Sequence, residues 1–522
     1  MERFLHKQAG KVIGVLNGFD RLVFRGTLRR LVFLEGMKTY LWAANVLLKD
    51  FGKHVLCVTS LLKKVSSQLA EKASRPIRYL PSSSTDKEQT ARRIAEQDGV
   101  KDGLICVLTC VEPCASFDIH RNRENKLLEL VTHHRKCLHV YHYFIHPLLG
   151  FMNARIQTWF PFNIQVCVNG REWLSRQMDQ AGIAYQRRDN CFTWVEDPQK
   201  AQDLMADQLR TPWSSLLKDI AQTLNPAHEE IFKNFPVDYY WSAYQSEWAS
   251  DIIFRSSQEL ALLYPSLVYH AVATFSSPDV LRFLGRNIPP KGFIPHAFTG
   301  EVVTDLKRRP EGIRVKHRVK SNSVKMYDKQ GSVLRIETTI NDPSDFKVYR
   351  RKESDKDGNL SWLPLRKGIA DLMRRAEVSQ SSNNRYLDAL ASAQNTTPLK
   401  DLTDRLCRSV MWNGKRFRAL NPYSPEDASL LEVVSRGEFS INGFRNRDLR
   451  AFLFRHSQPS KIDERRQSGS ITRRIRLLRA HGIVSKVTKT NRYVLTNKGR
   501  VAVTALLAAR NADTVPLTKL AA

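Results

Sequence analysis

The sequence predicts a mixed fold in three parts: an α/β N-terminal domain, a middle region that is helical and then antiparallel α+β, and a small helical C-terminal domain. Short apolar runs alternate with helical patterns up to about residue 200. Helix-spaced apolar residues dominate 200–290, and polar and apolar residues alternate from 300 to 350. We therefore expect domains at 1–200, 201–420 and 421–512, followed by a tail at 513–522 that is frayed.

The first 200 residues contain a turn signal followed by alternating elements. Asn17-Gly18 lies between two apolar runs and predicts a hairpin with Asp20 in its second strand. Buried strands are predicted at 55–58, 104–108 and 139–145, and helices at 37–50 and 85–97. Strands that alternate with helices are typical of an α/β domain.

The middle region changes its period from helix to strand. Helices are predicted at 201–209, 214–224, 240–263 and 277–284. Alternation then predicts an antiparallel meander with strands at 301–306, 312–319, 323–327 and 333–340. Further helices are predicted around 365–393 and 398–407.

The net charge of the chain indicates which class of molecule it binds. The chain has 82 Lys and Arg residues against 52 Asp and Glu residues, a net charge of +30, and such an excess attracts polyanions. No apolar run reaches the roughly 18 residues that span a bilayer, and the N-terminal residues lack the apolar stretch of a secretory signal. We expect a cytoplasmic, nucleoid-associated protein that binds DNA, or RNA, and no membrane.

The C-terminal region carries the most specific pattern. Helices are predicted at 425–434, 444–454 and 471–480, with Ser470 as the N-cap of the third, and strands at 483–487 and 492–495. A final helix begins near 497. This order, together with the phrase ITRRIRLLRAHGIVSKV…NRYVLTNKG, resembles winged helix-turn-helix domains of the MarR-like kind over roughly 425–510.

That resemblance implies that the third helix enters the major groove of DNA and that the two-stranded wing contacts the backbone. The implied nucleic-acid contacts are Thr472, Arg473, Arg474 and Arg476 in the helix, and Lys489 and Arg492 in the wing. The alternative is a winged helix used only for protein contacts, against which the outward arginines argue.

A second resemblance lies in the meander. Lys325-Met326-Tyr327-Asp328-Lys329, followed by Leu334-Arg335-Ile336-Glu337, resembles a hairpin of the rolling-circle replication initiators of plasmids and phages. On paired strands Lys325 and Tyr327 share a face, as do Arg335 and Glu337. A cationic, aromatic face suits phosphates and stacked bases, so the candidate contacts are Lys325, Tyr327, Lys329 and Arg335. The His-x-His metal pair of those initiators does not occur near this hairpin, so their nicking chemistry is not transferred.

Three carboxylates are candidate catalytic acids: Asp20, Glu112 and Glu337. Nucleases of the ribonuclease-H type hold two metal ions with carboxylates at strand ends. Asp20 and Glu112 would be the metal ligands, with Mg²⁺ or Mn²⁺ as the cofactor. The alternative interpretation is that these acids are surface or capping residues.

Together these features predict a nucleic-acid-binding protein, with DNA favoured, that resembles proteins of bacterial mobile elements. A replication initiator, transposase or recombinase would cleave or transfer DNA strands. Two alternatives stay open: a non-enzymatic transcriptional regulator or structured-RNA-binding protein, and a metal-dependent nuclease. An oligomer is compatible with each of them.

Overall fold

The computed structural model of the protein describes residues 1–286, 300–310, 312–352, 359–391, 399–436, 439, 443–454, 460–488 and 490–510. Contacts group the chain into two units. The first is Met1–Arg286 with Gly300–Ala393, and the second is Asn287–Thr299 with Gln394–Ala522.

The first unit is mixed α/β and is organised around one large sheet. Its first part consists of α1 (Glu2–Lys7), β1 (Val12–Thr27), α2 (Leu34–Ala43), α3 (Phe51–Lys72), β2 (Ile77–Leu80), α4 (Lys87–Gln97), β3 (Gly103–Asn122), β4 (Leu127–His146), β5 (Gly150–Gln157), β6 (Ile164–Asn169) and α5 (Gly170–Ala181). A connecting part follows with β7 (Tyr185–Arg188), β8 (Cys191–Val195), α6 (Pro198–Asp207), α7 (Trp213–Leu224) and α8 (His228–Ile231). The last part consists of β9 (Tyr240–Phe254), α9 (Ser257–Ala273), α10 (Ser277–Phe283), β10 (Val302–Arg309), β11 (Gly312–Val319), β12 (Asn322–Lys329), β13 (Val333–Ile340), β14 (Lys347–Arg350), β15 (Ser361–Pro364) and α11 (Leu372–Leu390).

The strand order of the large sheet shows that the chain path is repeated. The order is β10-β11-β12-β13-β9-β1-β6-β5-β4-β3-β2, and neighbours are antiparallel except for the parallel pair β2–β3. In each half a long first strand, β1 or β9, lies at the centre. A four-strand meander then returns so that its last strand, β6 or β13, pairs with the first. The sequence shows no internal repeat, so the two halves share topology without a visible repetition of residues.

β1 is one continuous strand, so the hairpin predicted at Asn17-Gly18 is wrong. Gly18 serves instead for close packing under α6, because a Cβ built on it would lie 2.1 Å from Cε of Met205. A glycine that lets a helix approach a strand gives the same local sequence signal as a glycine in a turn.

Two other predicted elements are wrong. Residues 55–58 belong to α3, in which Val55, Val58 and Leu62 are buried at helical spacing. The helix predicted at 240–263 is the strand β9 as far as Phe254, and helix begins only at Ser257. β9 pairs with β1 on one side and with β13 on the other, and such long-range pairing overrides local propensity.

The predicted meander at 301–340 is confirmed as β10–β13, with each strand antiparallel to the next. The predicted helices at 85–97, 201–209, 214–224 and 277–284 correspond to α4, α6, α7 and α10. β1 pairs with β9 along nearly its whole length, so residues from the predicted ranges 1–200 and 201–420 share one sheet.

Aromatic side chains form much of the core beside the sheet. Phe24 of β1 packs against Trp213 of α7 with ring centroids 4.8 Å apart. Tyr40 of α2 lies 5.2 Å from Phe160 between centroids. Burial of large aromatic surfaces is a dominant stabilising contribution, so these contacts help to hold α2 and α7 beside the sheet.

The second unit is largely helical. It contains α12 (Leu399–Leu406), β16 (Val410–Trp412), β17 (Lys415–Phe417), α13 (Pro425–Val434), α14 (Asn446–Leu453), α15 (Lys461–Ala480), β18 (Val484–Lys486), β19 (Tyr493–Leu495) and α16 (Asn497–Arg510). β18 and β19 form an antiparallel ribbon. Leu449, Ile471, Ile475 and Val503 belong to its separate apolar core.

α15 is longer than predicted. It begins at Lys461 rather than Ile471, and its N-cap is Ser460, whose side chain accepts a hydrogen bond from the backbone N–H of Asp463. Ser470, the predicted N-cap, lies inside the helix. Serine at an N-cap satisfies a backbone N–H that has no partner within the helix, and the sequence offers such a serine at both places.

Among the residues described, no helix combines the length and the apolar character needed to cross a bilayer. The predicted tail at 513–522 and the predicted wing residue Lys489 lie outside the described residues.

Candidate active site and nucleic-acid interface

Charged side chains from β9, β12 and β13 meet on one face of the sheet. Lys325 lies opposite Glu337, Tyr327 lies opposite Arg335, and Arg335 in turn lies opposite Asp251. Directly opposed residues project to the same side of a sheet. The register therefore brings these side chains together across three strands.

Asp20 reaches this group because β1 is irregular there. The pairing of β1 with β9 shifts between Phe19 and Arg21, which leaves Asp20 as the extra residue of a bulge. Bulges redirect a side chain and occur often beside functional sites. The Asp20 carboxylate lies 3.1 Å from Nη1 of Arg335 and accepts hydrogen bonds from Nδ2 of Asn190.

Two arginines neutralise the deepest carboxylates. Arg335 donates to both oxygens of Asp251 at 2.6 and 2.8 Å, and Arg171 donates to Oδ2 of Asp251 at 2.8 Å. Both guanidinium groups are fully buried. Burial by itself would raise the pKa of Asp251, but the charges of Arg171 and Arg335 outweigh it and the pKa is lowered.

Asp20 differs from Asp251 in its electrostatic balance. Burial raises the pKa of Asp20. The attraction of Arg335 and, less strongly, of Arg171 only partly offsets this, since Glu337 and Asp251 repel its charge. The Asp20 carboxylate therefore gains more than Asp251 would from an additional positive charge, whether a proton or a metal ion.

Three carboxylates of this group are close enough to hold one ion. Asp20, Glu247 and Glu337 each offer an oxygen, and the three oxygens lie within 4.8 Å of one another. Carboxylate oxygens are the ligands that Mg²⁺ and Mn²⁺ prefer. Nζ of Lys325 lies 2.5 Å from Glu337 and 3.2 Å from Glu247, so an entering cation competes with this ammonium group. We call Asp20, Glu247 and Glu337 the carboxylate cluster.

Glu112, predicted to act with Asp20, has other partners. Its carboxylate accepts from the Tyr141 hydroxyl at 2.7 Å and pairs with Lys87 at 3.0 Å and Arg155 at 2.9 Å. These bonds lower the pKa of Glu112 despite its partial burial. The carboxylate cluster therefore contains Glu247. Glu112, which was predicted to act with Asp20, is not part of it.

Glu247 was missed because its segment was predicted as a helix. The signal that points to a strand is the end of that segment, Ile252-Ile253-Phe254, since β-branched and aromatic residues favour strands.

The predicted nucleic-acid contacts of the meander are mostly buried. Arg335 is fully buried, and Lys325 and Lys329 are about nine-tenths buried. Lys329 Nζ lies 3.7 Å from Asp189, and Tyr327 is half-buried. Arg335 therefore positions the two aspartates and does not contact a ligand at the surface, contrary to its predicted role.

Four predicted nucleic-acid contacts, Thr472, Arg473, Arg474 and Arg476, lie on α15 of the second unit. Thr472, Arg473 and Arg476 are exposed, while Ile471, Ile475 and Leu478 are buried. Arg474 is half-buried, with its guanidinium carbon 6.0 Å from the Phe454 ring centroid. The Thr472 hydroxyl donates to the Ser468 carbonyl oxygen and accepts from the amide of Asn446.

Arg492, the residue before β19, donates to the Gly443 carbonyl oxygen at 3.3 Å. Two more exposed arginines of α15, Arg465 and Arg466, were not predicted to be contacts because the helix was expected to start later.

Searches among protein-family models, curated proteins and solved structures find no match to this chain.

Proposed function

We propose that this protein binds duplex DNA through α15 of its second unit. The observation that carries the proposal is the two-sided character of that helix: exposed Arg465, Arg466, Arg473 and Arg476 against buried Ile471, Ile475 and Leu478. An α-helix fits the major groove of B-form DNA, where arginine pairs with guanine or phosphate. The deep, narrow major groove of duplex RNA does not admit it, which favours DNA over RNA.

The order of elements supports a winged helix. α13, α14 and α15 are followed by the β18–β19 ribbon and α16, and this is the order in which such domains place a recognition helix beside a wing. The net charge of +30 adds long-range attraction to a polyanion.

The test is fluorescence anisotropy of the full-length protein with labelled duplex DNA, duplex RNA and single-stranded DNA at several salt concentrations. Replacing both Arg473 and Arg476 by alanine should weaken binding to duplex DNA. It should also reduce the slope of log affinity against log salt by about 1 for each phosphate that the variant no longer neutralises. Arg210→Ala is the matched control, because Arg210 is an exposed arginine of the first unit. Equal affinity of the double variant and the control would refute the assignment.

A second function, metal-dependent cleavage or transfer of phosphodiester bonds, is favoured by the carboxylate cluster. Divalent ions bound by carboxylates stabilise the attacking and leaving oxygens of phosphoryl transfer. A mobile-element enzyme needs both DNA recognition and such chemistry, and the two units of this protein offer one candidate for each.

This activity is tested on a denaturing gel with labelled DNA and Mg²⁺, Mn²⁺ or EDTA. Glu247→Gln should abolish metal-dependent cleavage, because it removes a ligand charge without changing side-chain size. Glu112→Gln should retain cleavage, since Glu112 pairs elsewhere. Loss of cleavage in both variants, or in neither, would reject the carboxylate cluster as its site.

A further inference from the structure

A cavity of about 220 Å³ opens on the first unit, outside the carboxylate cluster, and is lined by residues of β1, β3, β4, β5, β6 and β9 together with Asn163. Basic and amide side chains line it, among them Arg25, His139, Arg155 and Gln165. His139 is buried, and burial together with the nearby charge of Arg155 lowers its pKa.

The register of the sheet places two arginines on either side of one amide. Arg25 of β1 lies opposite Gln165 of β6, and Gln165 lies opposite Arg155 of β5. Oε1 of Gln165 accepts a hydrogen bond from Nε of Arg155 at 2.9 Å. The amide oxygen is thus occupied within the protein, which leaves the amide nitrogen as a donor to a ligand.

Elsewhere in the sheet, basic and acidic residues lie opposite each other on neighbouring strands and neutralise one another. There Lys325 of β12 lies opposite Glu337 of β13, and the two form an ion pair. Gln165 carries no charge, so it forms no ion pair with the two arginines that lie opposite it.

The remaining charges keep this cavity positive. Arg155 pairs with Glu112 at 2.9 Å, but Glu112 also pairs with Lys87. Within the part of the chain that the structure describes, Arg25 has no ion pair, and its guanidinium carbon lies 5.6 Å from the centroid of the Tyr244 ring. Two guanidinium groups and an amide donor around a small cavity match the charge and the acceptor oxygens of a phosphate group.

We propose that this cavity binds a phosphate group through Arg25, Arg155 and the Gln165 amide. The phosphate comes either from a nucleic-acid backbone or from a free phosphate compound, and the backbone source rests on the proposed nucleic-acid function.

The decisive variant is Gln165→Glu in the full-length protein. It places a carboxylate between the two arginines, where it would pair with them as Glu337 pairs with Lys325 and would repel phosphate. We expect the affinity for inorganic pyrophosphate, measured by calorimetry, to fall about tenfold or more. The melting temperature should be unchanged or raised, which shows that the variant is folded. Arg25→Gln should weaken binding similarly, whereas the exposed Arg121→Gln should not.

Two probes separate the sources of phosphate. If Gln165→Glu weakens both pyrophosphate and a single-stranded oligonucleotide, the cavity binds backbone phosphates. If only pyrophosphate binding weakens, the cavity serves a free phosphate compound. Unchanged pyrophosphate affinity relative to Arg121→Gln overturns the proposal. Failure of the wild-type protein to bind any nucleic acid would reject the proposed function alone, because the pyrophosphate measurement does not depend on it.

Discussion

Asp251 and Arg335 lie opposite each other on neighbouring strands, and the guanidinium group of Arg335 donates two hydrogen bonds to the Asp251 carboxylate. Arg171 and Asp20 complete this buried group. Removing charges from water costs several kcal/mol per ion in a protein interior, and only close pairing offsets that cost. Each member of the group therefore depends on the others.

Arg335→Ala should be strongly destabilising, because it leaves Asp20 and Asp251 buried with one arginine between them. Breaking a buried ion pair typically costs about 3–5 kcal/mol in the free energy of unfolding, which urea denaturation measures. Arg210→Ala, which removes an exposed ion pair with Asp207, should change stability little. Comparable losses in the two variants would show that the buried group contributes no special stability.

Asp20 and Asp251 should affect the pH dependence of stability in opposite directions. The lowered pKa of Asp251 stabilises the fold above the unfolded pKa of about 4, and this is lost as the pH falls through the folded pKa. The raised pKa of Asp20 disfavours its charged form, so its contribution is most favourable below the unfolded pKa and is lost as the pH rises through the folded pKa.

Replacing each aspartate by asparagine, which has nearly the same size but no charge, tests this difference in pH dependence. Between about pH 4 and pH 7, Asp20→Asn should gain stability relative to wild type as the pH rises. Asp251→Asn should lose stability relative to wild type as the pH rises from about 2 to about 5, with a constant difference above that. Denaturant titrations at several pH values measure both trends. Parallel trends would mean that the two carboxylates have similar surroundings, contrary to the structure.

Lys325→Met should strengthen divalent-cation binding at the carboxylate cluster. The substitution removes the ammonium that pairs with Glu247 and Glu337 and leaves three close carboxylates without it. Like charges at this distance repel, so we expect a lower melting temperature without cation and recovery with Mn²⁺. Differential scanning fluorimetry at rising Mn²⁺ concentration measures this. A cation response no larger than that of wild type would contradict the assignment of this cluster.

Gly170→Ala should disturb the buried ionic group without touching its charges. Gly170 is the first residue of α5 and precedes Arg171, and a Cβ built on it would lie 1.7 Å from the carbonyl oxygen of Phe19. Overpacking of this kind costs about 1–3 kcal/mol. Gly52→Ala in α3 is the control, since nothing lies within 4 Å of its Cβ position. There the better helix propensity of alanine should raise stability by up to about 1 kcal/mol in a thermal melt.

Local sequence patterns predicted the strands correctly where each strand pairs with the next one along the chain. The β10–β13 meander was predicted because each strand pairs with the next along the chain and short turns set the register. The helices α4, α6 and α7 carry apolar residues at helical spacing. In contrast, the ends of β1 and β9 depend on a partner more than 200 residues away.

The candidate site could be predicted only in part for the same reason, since it depends on strands that are distant in sequence. Asp20 and Glu337 were predicted as catalytic acids, but Glu247 joins them only because β9 lies between β1 and β13. Nothing in the residues around Glu247 reveals that neighbour relationship. The bulge that aims Asp20 inward likewise results from the pairing of two distant strands.

The repeated chain path of the first unit gives the β1–β9 pairing a particular character. It resembles an isologous contact, the kind that two identical subunits make across a two-fold axis when their edge strands join. A fragment ending before β9 would expose β1, a strand of 16 residues, as a bare edge. Long unprotected edges pair with other chains, so each half is expected to associate or aggregate when produced alone, and co-expression of the two halves should restore a single continuous sheet.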